Sequence, residues 1–268
     1  MNARAVEMVI GPLRQTRRSA IGWGLGLASL VALTVAFWPL FRDSSGISEA
    51  IEQLPSGLID AFGLAEFGTP AGFLRGNLYE FIVPLLLAIA AVATANGLTA
   101  SEEDSGRMEV YLAQPVTRRS VFIGRIAATV LWLVLMTAFI LVVQLVSDAL
   151  FDLTIDTGLV VSTVVLCGLL ALLYGALALA IAGWWPRPSA VLAIGIAAAV
   201  GLYLISALFP LSDTLDPLSD LSPWKWALGG DPLVHPAEPW RYLALLIPAV
   251  VLAGVGVIGF VRRDVRAA

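Results

Sequence analysis

The chain has 268 residues, of which 59% are hydrophobic and only 13% are charged, and its formal net charge is −4. Soluble globular domains carry charge on about 25% of their residues, so this composition and a mean hydropathy of +0.87 exclude an ordinary soluble protein. We therefore predict an all-α membrane protein that forms a single domain over residues 1–268, with no room for a large soluble domain.

Six apolar stretches are each long enough to cross a hydrocarbon layer of about 30 Å. The first follows a basic lead-in, as a secretory signal peptide would, but it is too long and ends in an aromatic-rich segment instead of a cleavage site. It therefore predicts a retained helix. The six predicted spans are 20–41, 81–99, 126–146, 158–184, 189–209 and 242–261.

Lys and Arg are unequally distributed between the two sides of these spans. Twelve of the 16 lie on the side of the termini and four lie opposite. Because basic residues concentrate in cytoplasmic loops, both termini are predicted to be cytoplasmic in a bacterial plasma membrane. Segments 42–80 and 210–241 are then extracytoplasmic. The first is expected to form short surface helices, with a solvated loop as the alternative, and the second an aromatic-anchored cap.

The sequence lacks the residue patterns that proton transfer, ATP hydrolysis and metal binding require. The cores of the predicted spans contain no ionisable residue, so a proton relay within the chain is not expected. A G-x-x-x-x-G-K-[ST] loop is missing, and the only lysine, Lys225, is predicted to be outside, so the chain is not expected to hydrolyse ATP by itself. The single His235 and the single Cys167 have no partners at metal-ligand spacing. We predict a non-catalytic protein that binds no cofactor or metal.

The most informative loop joins the second and third predicted spans, and we call residues 100–118 the elbow. Residues 107–113 favour a short helix, Pro115 disfavours helical geometry at Gln114, and Thr117 can cap the next helix. The pattern fits either a docking surface for a soluble partner or an ordinary amphipathic helix on the inner leaflet. In the first case, an apolar surface cluster, which we call the knob, would be flanked by charged residues. The knob comprises Met108, Val110, Tyr111 and Leu112.

The elbow also carries the pattern E-E-x-x-G-x-x-E-x-x-L-A-Q-P-V-[ST]-R, which resembles that of type-2 ABC exporter permeases. The match begins at Glu102 and Glu103 and ends at Thr117 and Arg118. Further similarity is carried by Leu221-Ser222-Pro223-Trp224, Gly230-Asp231-Pro232-Leu233, the segment 67–74 and the terminal segment 260–265.

This resemblance implies that the elbow is a coupling helix seated on an ATP-binding subunit. The implied coupling residues are Glu102, Glu103, Gly106, Arg107, Met108, Glu109, Tyr111, Leu112, Gln114, Pro115 and Arg118. Segment 1–19 would be a cytoplasmic interfacial helix that contacts the same subunit. The second and fifth spans would face the translocation path, with Thr94, Asn96, Tyr203 and Ser206 as polar contacts; the alternative is that these side chains bond neighbouring helices.

The predicted function is therefore the permease subunit of an ABC exporter of hydrophobic or amphipathic substrates, such as a drug, an antibiotic or a lipid. Its expected partners are the lipid bilayer, a second permease chain, identical or related, and two ATPase subunits that bind ATP and Mg²⁺; no nucleic acid is expected. The alternatives are a non-transporting membrane anchor or sensor for a cytosolic ATPase, and a sodium exporter subunit. An intramembrane enzyme would need active residues that the sequence does not offer.

Overall fold

The computed structural model describes residues 11, 13–14, 16–42, 68–112 and 116–263, and within these ranges the chain is a helical bundle without a β-strand. Six helical segments are long and apolar enough to cross a membrane. This confirms the predicted fold class and the number of spans. The six segments are Arg17–Arg42, Pro70–Asp104, Arg118–Phe151, Thr157–Trp184, Pro188–Leu211 and Pro239–Arg262.

The described residues form six long and six short α-helices. The long ones are α1 (Arg17–Ala36), α4 (Ile82–Leu98), α7 (Arg118–Phe151), α8 (Thr157–Trp184), α9 (Pro188–Leu208) and α12 (Pro239–Arg262). The short ones are α2 (Trp38–Arg42), α3 (Pro70–Leu74), α5 (Ala100–Asp104), α6 (Arg107–Leu112), α10 (Asp216–Ser219) and α11 (Pro223–Leu228). A π-helical turn, Arg75–Tyr79, follows α3, and a 3-10 turn, Phe209–Leu211, follows α9.

The helix starts are specified by local sequence. Thr117 accepts a hydrogen bond from the Ser120 backbone N–H at 3.1 Å, which confirms its predicted role as the cap of α7. Asp156 caps α8 in the same way through the N–H groups of Gly158 and Leu159. Helices α9 and α12 begin with proline, whose fixed φ suits the first helical position.

Helix α8 forms the centre of the bundle. Its most apolar 18-residue window is 72% buried, and it packs most extensively against α12 and α4. The approach to α12 is so close that a Cβ on Gly183 would meet the carbonyl oxygen of Gly256 at 2.3 Å. Outside this core, α1 packs on α7 and α9 packs on α4, and only 22% and 17% of the most apolar windows of α1 and α9 are buried.

The structure corrects the expected extent of two spans. Helix α7 continues beyond 126–146 at both ends and thereby brings Arg125 and Asp148 into the bundle, although the spans were expected to lack charged residues. The second span is also longer, because α3 and the π-helical turn lead into α4 with only a short break. Most of segments 1–19 and 42–80, including the predicted surface helices, lies outside the described residues.

Candidate functional site

The elbow is built from two short helices that meet at a tight turn. Helix α5 ends at Asp104, and Gly106 adopts a φ of +72° before α6 begins at Arg107. This left-handed conformation favours glycine, because any Cβ would be strained there. The predicted short helix within 107–113 is thus confirmed as Arg107–Leu112, and the turn sets its direction relative to α5.

Helix α5 is held against the bundle by a buried ion pair. The guanidinium of Arg125 on α7 lies 2.7 Å from a carboxylate oxygen of Glu102, and both side chains are almost fully buried. The ring of Tyr111 on α6 lies against the same guanidinium, 4.4 Å from its carbon atom. One arginine therefore contacts both short helices of the elbow and joins them to α7.

A second ion pair connects the elbow to the end of α12. Arg263 forms a bidentate pair with the carboxylate of Glu103, and its Nε donates to the carbonyl oxygen of Gly183 at 2.7 Å. Arg118, at the start of α7, donates to the carbonyl oxygen of Arg263 at 2.7 Å. Bidentate pairs of this kind fix orientation as well as distance. The elbow, α7, α8 and α12 are thus connected at one end of the bundle.

The opposite end of the bundle is closed by the cap, residues 210–241. Trp224 donates through its indole N–H to the carbonyl oxygen of Ala199 at 3.0 Å, and Ser222 donates to that of Leu202 at 2.7 Å. Arg75 pairs with Asp231 across 2.9 Å. Within the cap, the hydrogen bond between Lys225 and Asp220 raises the pKa of the lysine ammonium above its ordinary value. The cap is therefore anchored to α9 and to the second span.

Below the cap lies a cavity of about 240 Å³ with a mixed polar and apolar lining. The ring of Tyr203 lies between those of Phe81 and Trp224, tilted against the first and edge-on to the second, with centroids 4.3 and 5.0 Å away. Ser206 and Thr163 add hydroxyl groups, and charged side chains from the cap and the π-helical turn complete the wall. A cavity of this composition can accommodate an amphipathic molecule or part of one.

The sequence matches, over residues 12–261, the family described as "Multidrug efflux system permease Rv1217c, C-terminal domain". The chain belongs to this family. No curated protein matches it. The matched region contains all six spans, the elbow and the cap, and it confirms the resemblance to exporter permeases; the type-2 subdivision stays a prediction. Family and fold together identify a membrane transport protein.

In this efflux permease, the predicted elbow residues divide between the interior and the surface. Met108 is 1% exposed, so it packs in the core and does not form the exposed apolar knob that the sequence predicted. Asp104, Arg107 and Glu109 are exposed, and the side chains of Val110 and Leu112 lie outside the described part of the chain. Gln114 and Pro115 lie outside the described residues. A role in coupling stays a prediction for all of these positions.

The four predicted path residues of the permease lie at two different levels. Tyr203 and Ser206 line the cavity below the cap. Thr94 and Asn96 are buried near the elbow end of α4, about 20 Å further along the helix from Phe81 at 1.5 Å per residue. The Asn96 amide donates to the Ser101 hydroxyl at 3.2 Å and so joins α4 to α5. The structure does not bring the four together into one site.

Sequence reasoning missed the two arginines that anchor the elbow of the permease. The third predicted span begins at residue 126 and the sixth ends at residue 261, so they leave out Arg125 and Arg263, yet both side chains neutralise elbow carboxylates. A signal was present, because a helix capped at Thr117 carries Arg125 about two turns into the bundle. Among the described residues, no three His, Cys, Asp or Glu side chains come close enough together to hold a metal ion.

Proposed function

We propose that this chain is the membrane subunit of an ABC exporter and that its elbow couples ATP hydrolysis on a separate ATPase to movements of the bundle. The observation that carries the proposal is the anchoring of α5 by two ion pairs, Glu102 with Arg125 and Glu103 with Arg263. A surface loop on the inner leaflet would not need buried charges, which are costly to desolvate. An element that transmits force needs such fixed connections.

The proposed coupling role separates the elbow residues by position. Asp104, Arg107 and Glu109 would contact the ATPase directly, because they face outward. Glu102, Glu103, Met108 and Tyr111 would act from inside by holding the elbow on α7 and α12. A displacement of α6 would then be transmitted to α7 and α12 through these side-chain contacts.

The proposed substrates are hydrophobic or amphipathic molecules. The family description names multidrug efflux for the protein from which it takes its name, and we extend that class of substrate to this chain. Support comes from the cavity below the cap, where the rings of Tyr203 and Trp224 lie beside hydroxyl and charged groups. Tyr203 and Ser206 are the proposed substrate contacts, whereas Asn96 is engaged with the elbow.

The proposed assembly contains a second permease chain and two ATPase subunits, which bind ATP and Mg²⁺. The matched family is named for a C-terminal domain, so the protein that defines it has at least one further domain. We propose that a second copy or a related chain supplies the complementary half here. The exposed surfaces of α1 and α9, whose apolar windows are only 22% and 17% buried, offer area for such pairing.

The coupling proposal is tested by reversing one exposed charge at each end of the molecule. The chain is co-expressed with a candidate P-loop ATPase from the same genome. Co-purification is measured in detergent, and drug-stimulated ATP hydrolysis is measured in reconstituted vesicles. Asp104→Arg on the elbow is expected to lower both, by about fivefold if one interfacial charge contact is lost. Asp213→Arg, an equally exposed change in the cap, is the matched control.

Undiminished ATPase binding and stimulation in Asp104→Arg would contradict the assignment of this surface to the ATPase. A complex that hydrolyses ATP without moving any hydrophobic dye or drug would instead indicate the anchor or sensor function. Failure of both variants to reach the membrane would be detected beforehand by their elution profiles in detergent.

A further inference from the structure

A groove runs between α7 and α12 on the outside of the bundle, at the end that carries the elbow. Its volume is about 420 Å³. Apolar side chains form its floor, and two arginines stand at its mouth. The lining residues are Arg119, Ile123, Gly254, Val257, Ile258, Val261 and Arg262.

The two arginines at the mouth form no ion pair or side-chain hydrogen bond among the described residues, whereas both of their neighbours are engaged. Arg118 is bound to the carbonyl oxygen of Arg263, and Arg263 is paired with Glu103. These contacts hold the start of α7 beside the end of α12 and so bring Arg119 and Arg262 to the same mouth. Both side chains are exposed. The first turn of α7 adds the positive end of its helix dipole.

The floor of the groove is exposed although it is apolar. Ile123, Ile258 and Val261 are 45%, 48% and 44% exposed, and they lie on helices that cross the membrane. A Cβ on Gly254 would meet nothing within 4 Å, so the missing side chain leaves open space along α12. Hydrocarbon chains are the material that surrounds such a surface in a bilayer.

We propose that this groove is a binding site for one anionic phospholipid of the leaflet on the elbow side. The phosphate lies between Arg119 and Arg262, and an acyl chain follows the groove past Ile123 and Gly254. Basic pockets between membrane helices attract anionic headgroups in this way. A second copy of the same face would oppose two arginines with two arginines, and like charges repel. The site does not depend on the proposed export function.

The proposal is tested by lipid titration of the purified, delipidated full chain, followed by native mass spectrometry. The probes are phosphatidylglycerol and phosphatidylcholine with identical acyl chains. We expect the wild type to bind phosphatidylglycerol more tightly, and Arg119→Gln with Arg262→Gln to weaken that binding by about fivefold for each arginine removed. Binding of phosphatidylcholine is expected to stay unchanged. Arg18→Gln, an exposed arginine at the start of α1, is the matched charge control.

A second variant tests the apolar half of the site. Gly254→Leu fills the open space and is expected to weaken phosphatidylglycerol binding, whereas Gly26→Leu, at an equally open glycine of α1, leaves it unchanged. Glycerol 3-phosphate is expected not to displace the lipid, because it lacks the acyl chains. Equal affinity of the double arginine variant and the wild type, no preference over phosphatidylcholine, or displacement by glycerol 3-phosphate would each overturn the proposal.

Discussion

Glu102 and Arg125 form a buried ion pair that connects α5 to α7. Their ion pair spans 2.7 Å, and neither carboxylate oxygen of Glu102 has a further hydrogen-bond partner among the described residues. Burying two charges costs several kcal/mol of desolvation per ion, which their attraction recovers only while both are present. Each residue therefore depends on the other. Such a pair adds little net stability but fixes the position of α5 on α7.

Removing the charge of Glu102 should leave Arg125 buried and unpaired. We expect Glu102→Gln to lower the free energy of unfolding by about 3 kcal/mol, and Glu102→Gln with Arg125→Gln to recover at least half of the loss. Denaturant titration in detergent, followed by tryptophan fluorescence, measures both. Asp104→Asn, on the exposed side of α5, is the control and should change the value by less than about 0.5 kcal/mol. A single variant as stable as the control would contradict the assigned burial.

Helices α8 and α12 show that close packing between elements depends on particular glycines. The backbone of Gly183 approaches that of Gly256 so closely that neither position has room for a side chain. Two polar contacts flank this point: the indole N–H of Trp184 donates to the carbonyl oxygen of Val255 at 3.1 Å, and Arg263 donates to that of Gly183. Small residues allow membrane helices to approach in this way. The end of α12 is thereby held where Glu103 can reach Arg263.

Adding one methyl group at this contact should push α8 and α12 apart. We expect Gly183→Ala to lower the free energy of unfolding by about 1–3 kcal/mol, the usual cost of overpacking. It should also weaken ATPase stimulation, because α12 carries one anchor of the elbow. Gly201→Ala on α9, where a Cβ meets nothing within 4 Å, is the matched control and should be neutral or slightly stabilising. Equal stability of the two alanine variants would show that the contact is not tight.

At the scale of the whole molecule, hydropathy predicted the number of spans, and turn chemistry predicted the start of α7 at Thr117. Both signals are local, which explains their success. Partners far apart in the sequence, such as Glu103 and Arg263 or Arg75 and Asp231, follow only from the packing of whole helices. The burial of Met108 was missed for the same reason, since its apolar character fits a docking surface and a core equally well.

The orientation of the bundle is a prediction that both the coupling and the substrate proposals use. The elbow and the cap lie at opposite ends, and the excess of arginine on the elbow side predicts that this side is cytoplasmic. Thr214→Cys in the cap is therefore expected to react with a membrane-impermeant maleimide in intact cells. Ser105→Cys in the elbow should react only after permeabilisation. Both positions are exposed, and the natural Cys167 is buried, so the background labelling should be low. The reverse pattern would place the elbow outside, where no ATP is available to drive export.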